Sequence, residues 1–252
     1  MSGLGLPEAL SPYHFARAAG ITPDPWQAEV LKSRGQRILL NCSRQSGKST
    51  IVSVLAAHKA IFEPGSLILL LARAQRQSQE LFRKTLEVYR AVGSPLTAPI
   101  SSTMTLELSN GSRIAALPGS EASIRSFSNV SLLLIDEASR VPDEAYYSMR
   151  PVLAVSGGRL VALSTPFGTR GWWYEAWRGA LNEDDDWQRW EVPASACPRI
   201  SAEFLEEERR NLGHWWYSQE YETEFLDAQS AAFRQVDIDR AFSESYDTWN
   251  LG

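Results

Sequence analysis

A chain of 252 residues with 44% hydrophobic and 22% charged residues has the size and balance of one large globular domain, or of a domain with a small appendage. That composition excludes collagen-like, coiled-coil and wholly disordered chains. Two cysteines, Cys42 and Cys197, and three histidines without ligand spacing exclude a disulfide framework and a zinc site. A net charge of −5 excludes coating of nucleic acid by bulk electrostatics, so any DNA contact needs a local patch. The longest apolar runs fall far short of the ~20 residues a bilayer requires, and no basic-then-apolar leader opens the chain. The expectation is a soluble, unexported chain with no membrane partner.

Residues 1–25 read as an entry segment with one short helical pattern at Pro12 to Ala19, followed by a first helix, Trp26 to Ser33. Arg37 to Asn41 is a short apolar run, Cys42 to Gly47 a polar loop, and Lys48 to Phe62 a helix stopped by Pro64 and Gly65. Ser66 to Ala72 reads as a strand buried on both faces, and Gln75 to Val92 follows with Leu81, Phe82, Leu86 and Tyr89 at helical spacing. Around Asn110-Gly111 the alternation from Met104 to Leu117 predicts a tight antiparallel hairpin. Leu132 to Ile135 and Arg159 to Ser164 are further strands, with helices at Asp143 to Met149 and Trp172 to Ala180. The βα alternation predicts an α/β fold with a mostly parallel central sheet flanked by helices. After the acidic run Glu183 to Asp186, one strand-like piece (Trp187 to Val192) and two helices separated by Gly213 read as a small helical subdomain. The expected division is a core over 1–182, a lid over 183–228 and a linker over 229–252.

The strongest chemical signal is Cys42-Ser43-Arg44-Gln45-Ser46-Gly47-Lys48-Ser49-Thr50, set between an apolar strand and a helix. Such a loop aims backbone N–H groups and a helix N-terminus at one spot, which suits phosphate oxygens. Lys48 would reach the β- and γ-phosphates, and the Ser49 hydroxyl would bind Mg²⁺. The first position of the motif, usually glycine, is Cys42 here. Leu132 to Ile135 then delivers Asp136 to the Mg²⁺ shell and Glu137 to the attacking water. The stretch between Lys48 and Asp136 leaves room for an extra strand, as in the P-loop division that carries a catalytic glutamate. Ser164-Thr165-Pro166 ends the next strand, where hydroxyls would sense the γ-phosphate. Trp26 and Gln27 would pack on and pair with adenine, selecting ATP over GTP.

These motifs, with Arg44 inside the loop, the D-E-A at Asp136 to Ala138 and a late E-Y-E-T-E-F at Glu220 to Phe225, resemble the large terminase subunit of tailed bacteriophages over about residues 20–230. The resemblance implies a P-loop ATPase of RecA-like type with ATP and Mg²⁺ as cofactors. It implies a homo-oligomeric ring, expected to be pentameric, that docks on the capsid portal with a small terminase subunit and pumps double-stranded DNA into the procapsid. The isolated chain would be a monomer, working in the host cell cytoplasm and transiently at the portal. Family members carry a C-terminal nuclease; Asp237 and Asp239 lack partner carboxylates in a buried strand, so no nuclease activity is expected of this chain. Arg44 would act in cis and Arg125 as the finger offered to a neighbouring subunit, with Arg140 the alternative. Arg76, Arg83, Lys84 and Arg90 form either a DNA-facing stripe or a solvated helix face. The pairs Trp172-Trp173 and Trp215-Trp216 are expected to pack between core and lid. Two other readings stay open: one lobe of a helicase-like ATPase, and a nucleotide-binding scaffold without turnover.

Overall fold

The computed structural model describes residues 4–118, 124, 126–179 and 186–227. Three short helices, α1 (Leu6–Leu10), α2 (Pro12–Ala18) and α3 (Pro25–Lys32), lead into strand β1 (Arg37–Cys42). Each of the three has proline in its first turn, where the missing N–H has no helical partner to lose. Helix α4 (Lys48–Phe62), β2 (Leu67–Ala72) and α5 (Gln75–Ala91) follow, then β3 (Ile100–Ser101), β4 (Thr105–Glu107), β5 (Arg113–Pro118) and β6 (Leu132–Asp136). The remaining elements are α6 (Asp143–Met149), β7 (Arg159–Ser164), α7 (Trp172–Trp177), β8 (Trp187–Val192) and α8 (Ala202–Tyr221). The last is broken at Gly213, whose φ of 73° and ψ of 165° lie outside the helical region.

All eight strands form one sheet in the order β3-β4-β5-β2-β6-β7-β1-β8. The six strands from β5 to β8 run parallel, and the hairpin adds β4 and β3 antiparallel at one edge. Two-residue alternation splits the apolar strands between two faces. Ile38, Leu70, Leu134 and Val161 pack beneath α2 to α5, while Leu39, Leu69, Leu133 and Ala162 pack beneath α6 and α7. Because both faces are covered, the central strands read in sequence as unbroken hydrophobic runs. Right-handed parallel crossovers put every βα loop at the carboxyl edge of the sheet, so the ends of β1, β6 and β7 converge there. No helix among the described residues is long and apolar enough to cross a membrane.

The structure corrects two expectations and refines the turn of the predicted hairpin, which is present. Strand β8 pairs with β1 from Arg37↔Trp187 to Cys42↔Val192, so it belongs to the main sheet and not to the lid. It is an edge strand with only Trp187 and Val192 buried, which is why it lacks the apolar run that marks β2 or β6. The hairpin closes through three residues, with Leu108 N–H bonded to the Ser112 carbonyl at 2.9 Å, and only Gly111 takes positive φ (82°). Trp172 and Trp173 are core residues, the former stacked on Tyr146 at 3.9 Å, but Trp216 is exposed. Helix α8 instead builds a small separate cluster of Ala194, Tyr217 and Tyr221. The acidic residues 183–185, Asp237 and Asp239 lie outside the described residues.

Candidate active site

The loop from β1 to α4 turns through two positive-φ residues, Gln45 (58°) and Gly47 (87°). Its first two amides are committed inside the protein. Ser43 N–H donates to the Val192 carbonyl at 2.9 Å and Arg44 N–H to the Glu220 carbonyl at 3.0 Å. The N–H groups of Gln45, Ser46, Gly47, Lys48 and Ser49 have no protein acceptor among the described residues. Five unpaired donors at the positive end of a 15-residue helix make an anion site. Thr50 lies one step beyond it, its N–H bonded to the Gly47 carbonyl at 3.2 Å. The Ser43 and Ser46 side chains are buried beside the Cys197 and Cys42 thiols, respectively. The Ser43 amide is occupied, whereas that of Ser46 has no protein acceptor among the described residues.

Cys42, at the position where the motif usually has glycine, is fully buried. Burial pushes its thiol up to about 12 and also raises that of Cys197. Neither thiol has the exposed, electropositive setting of a reactive one. Iodoacetamide near pH 8 is expected to leave both cysteines of the native protein unmodified while labelling both in denaturant; mass spectrometry showing rapid native labelling of Cys42 would contradict this burial.

Strand β6 ends in the acidic pair. Ser49 Oγ lies 3.2 Å from Asp136 Oδ2, and Glu137 N–H donates to Asp136 Oδ1 at 2.9 Å. Burial, then the neighbouring Glu137 charge, raises the Asp136 pKa, and Lys48 partly offsets both. This hydroxyl–carboxylate pair, short of positive charge, fits Mg²⁺. Magnesium takes one or two protein oxygens and fills its shell with phosphate oxygens and water. Among the described residues no group of three or more His, Cys, Asp or Glu side chains offers an all-protein cage instead. Glu137 sits in the left-handed region at φ 51°, ψ 43°, a conformation costly for a non-glycine residue that turns the chain sharply after the strand.

Glu137 lines a cavity of about 340 Å³ together with Arg44, Gln77, Arg140, Thr165 and Glu220. Ser164 reaches the acidic turn through a hydroxyl contact with Ser139 at 2.7 Å, tying the end of β7 to the residues just after Glu137. Arg140 stacks over the Phe167 ring of its own chain at 3.7 Å from the centroid. The Arg44 guanidinium lies 2.9 Å from Glu220 of α8 as a charge contact, not an aligned hydrogen bond. Arg125 lies outside the described residues.

Gln27 is 3% exposed and already engaged at both ends. Its Oε1 accepts from Asp24 N–H at 2.9 Å, and its Nε2 donates to the Ser46 carbonyl at 3.3 Å. Trp26 packs in the core beneath the sheet. Gln27 thus braces the phosphate loop from outside, a contact that the sequence did not mark. Arg199, which the sequence did not mark, reaches the same carbonyl. The stripe on α5 is split as well: Arg83 is bridged to Glu80 and Glu87, while Arg76 and Lys84 line a cavity with Ser49, Asp136 and Glu137.

Residues 39–240 match the family described as "Terminase large subunit, T4likevirus-type, N-terminal". The terminase large subunit of Thermus phage G20c is 24% identical over 264 residues, 89% of this chain and 53% of that protein. The chain thus spans about half the length of the curated relatives it matches. The large terminase ATPase domain of Thermus phage P74-26 shares the fold with a TM-score of 0.73 at 22% identity, covering 84% of this chain and 98% of that domain. A further large terminase, from a thermophilic bacteriophage and solved in complex with ADP, does so with a TM-score of 0.67 at 12% identity, over 87% of this chain and 53% of that one. With the family match running from β1 past the end of α8, the chain belongs to the T4likevirus-type terminase large-subunit N-terminal family.

Proposed function

We propose that this chain is the ATP-hydrolysing motor domain of a phage terminase, driving double-stranded DNA into a procapsid. The carrying observation is the 3.2 Å approach of Ser49 Oγ to Asp136 Oδ2, beside Glu137 and opposite five amides with no protein acceptor. Family membership and the ADP complex of the thermophilic bacteriophage's terminase support the reading. In it, the Gln45 to Ser49 amides and Lys48 hold the β- and γ-phosphates. Ser49 and Asp136 hold Mg²⁺, which supplies countercharge to the phosphate oxygens. Glu137 takes a proton from the attacking water as its oxygen bonds to the γ-phosphorus and the bond to the ADP oxygen breaks. Thr165 and the Ser164–Ser139 contact report the loss of the γ-phosphate to the β7 loop.

The reading extends to assembly. A ring at the capsid portal, served by a small terminase subunit in the host cell cytoplasm, would complete each site with Arg125 from a neighbour. Arg140 is the weaker candidate for that role, because it is stacked on Phe167 and lines its own chain's cavity. The test is ATP turnover with Mg²⁺ across protein concentrations, with and without double-stranded DNA. Turnover per chain is expected to rise with concentration, and Arg125→Ala to lose that rise. No hydrolysis under any of these conditions would favour a nucleotide-binding scaffold.

A further inference from the structure

Three side chains from two distant segments converge on the outside of the phosphate loop. Arg199, in the turn between β8 and α8, places Nη1 2.7 Å from Asp24 Oδ1 and Nη2 2.9 Å from the Ser46 carbonyl oxygen. Gln27 Nε2 donates to the same carbonyl at 3.3 Å. Asp24 is buried at the N-cap of α3, so the guanidinium is anchored on a fixed carboxylate.

The planar trans peptide turns this outer contact into an inner one. In the Ser46–Gly47 peptide unit, C=O and N–H point in opposite directions. A carbonyl held outward by Arg199 and Gln27 therefore aims the Gly47 N–H into the loop, toward the position an anion occupies. Nothing in Gly47 itself enforces that orientation. It sits at φ 87°, without a Cβ to hinder rotation of the peptide plane. A Cβ there would lie 2.7 Å from Gln27 Nε2 and 3.0 Å from Arg199 Nη2, so the bracing groups occupy the space a side chain would need. The charged donor also polarises the peptide and strengthens its N–H as a donor.

We infer that Arg199 is a positioning residue for nucleotide binding: anchored by Asp24, it locks the Ser46–Gly47 peptide so that the Gly47 N–H faces the phosphates. The inference rests on the phosphate-loop reading. It also makes the entry to the lid helix part of the binding site, because ordering Arg199 and binding nucleotide favour each other by linkage.

The test measures ADP and ATP dissociation constants, in Mg²⁺, for the parent, Arg199→Ala and Arg199→Lys. Arg199→Ala is expected to weaken both nucleotides by the same factor, about tenfold, the scale of a lost charged hydrogen bond. The kcat at saturating ATP should stay within about twofold and the preference for ATP over GTP should not change. Arg199→Lys, which keeps one charged donor, should fall between. ADP affinity within about twofold of the parent would overturn the inference. So would a changed ATP-over-GTP preference, which would put Arg199 on the base, or a fall in kcat without loss of affinity. If Arg199→Ala does not fold, Asp24→Asn removes the anchoring charge and carries the same expectation. Lys48→Ala measured in parallel separates the two levels. If it too keeps ADP affinity, the phosphate-loop reading fails; if it alone loses affinity, only the role of Arg199 does.

Discussion

Lys48→Ala is expected to abolish ATP turnover and to weaken ATP binding by at least about a hundredfold, the scale set by a charged contact to phosphate made in a water-poor site. Lys48 is only 8% exposed and stands at the first helical position of α4, where the loop's free amides converge. Its loss has a second consequence in the absence of nucleotide. The Asp136 pKa is raised above its ordinary 3.8 by burial and by Glu137, with Lys48 acting against both. As pH climbs past that ordinary value, the unfolded chain ionises Asp136 before the folded one does. The unfolded state then binds fewer protons, so stability falls until the folded carboxyl has also ionised. Without Lys48 the folded pKa rises further and the loss runs over a wider window. The melting temperature of Lys48→Ala should thus sit closer to the parent near pH 4 than near pH 8. Normal turnover by this variant would remove Lys48 from the phosphates, and an equal melting deficit at both pH values would remove it from the Asp136 field.

The parts of this site that the sequence carries are those formed by neighbours in the chain. Lys48 and Ser49 follow an apolar strand and open a helix; Asp136 and Glu137 end another. Strands β2, β6 and β7 are buried on both faces, so their composition alone marks them. Strand β8 is half-exposed at the sheet edge, and the acidic run before it mimics a domain boundary. Arg199 and Gln77 left no local signal, since an arginine in a polar turn or a glutamine at a helix start has many ordinary uses. Their meaning comes from what the fold brings to them across the chain, 153 residues in the case of Arg199 and the Ser46 carbonyl. Gln27 is legible only in part. Its residue type suggests base pairing, and the fold adds a helix cap and a bond to a loop carbonyl that the sequence does not mark.

Glu137→Gln is expected to bind ATP with near-parental affinity while kcat falls by about 10³, within the range for loss of a general base. The substitution preserves shape and leaves Ser49, Asp136 and the loop amides untouched, so ground-state binding keeps its donors. An amide cannot accept the water proton, so the affected step is cleavage. Electrostatics supply the control that separates chemistry from folding. The Glu137 charge is the second largest cause of the raised Asp136 pKa, after burial. Neutralising it lowers that pKa toward its ordinary value and restores part of the stability that the nucleotide-free protein loses as pH rises. Glu137→Gln should therefore melt at or above the parental temperature at neutral pH while turning over almost no ATP. A strained φ of 51° at this position persists in both variants, because glutamine carries the same Cβ. Lost turnover accompanied by a lower melting temperature would point to damage of the β6 turn. Retained turnover in a well-folded variant would assign the base elsewhere and leave Glu137 as a charge that tunes its neighbour.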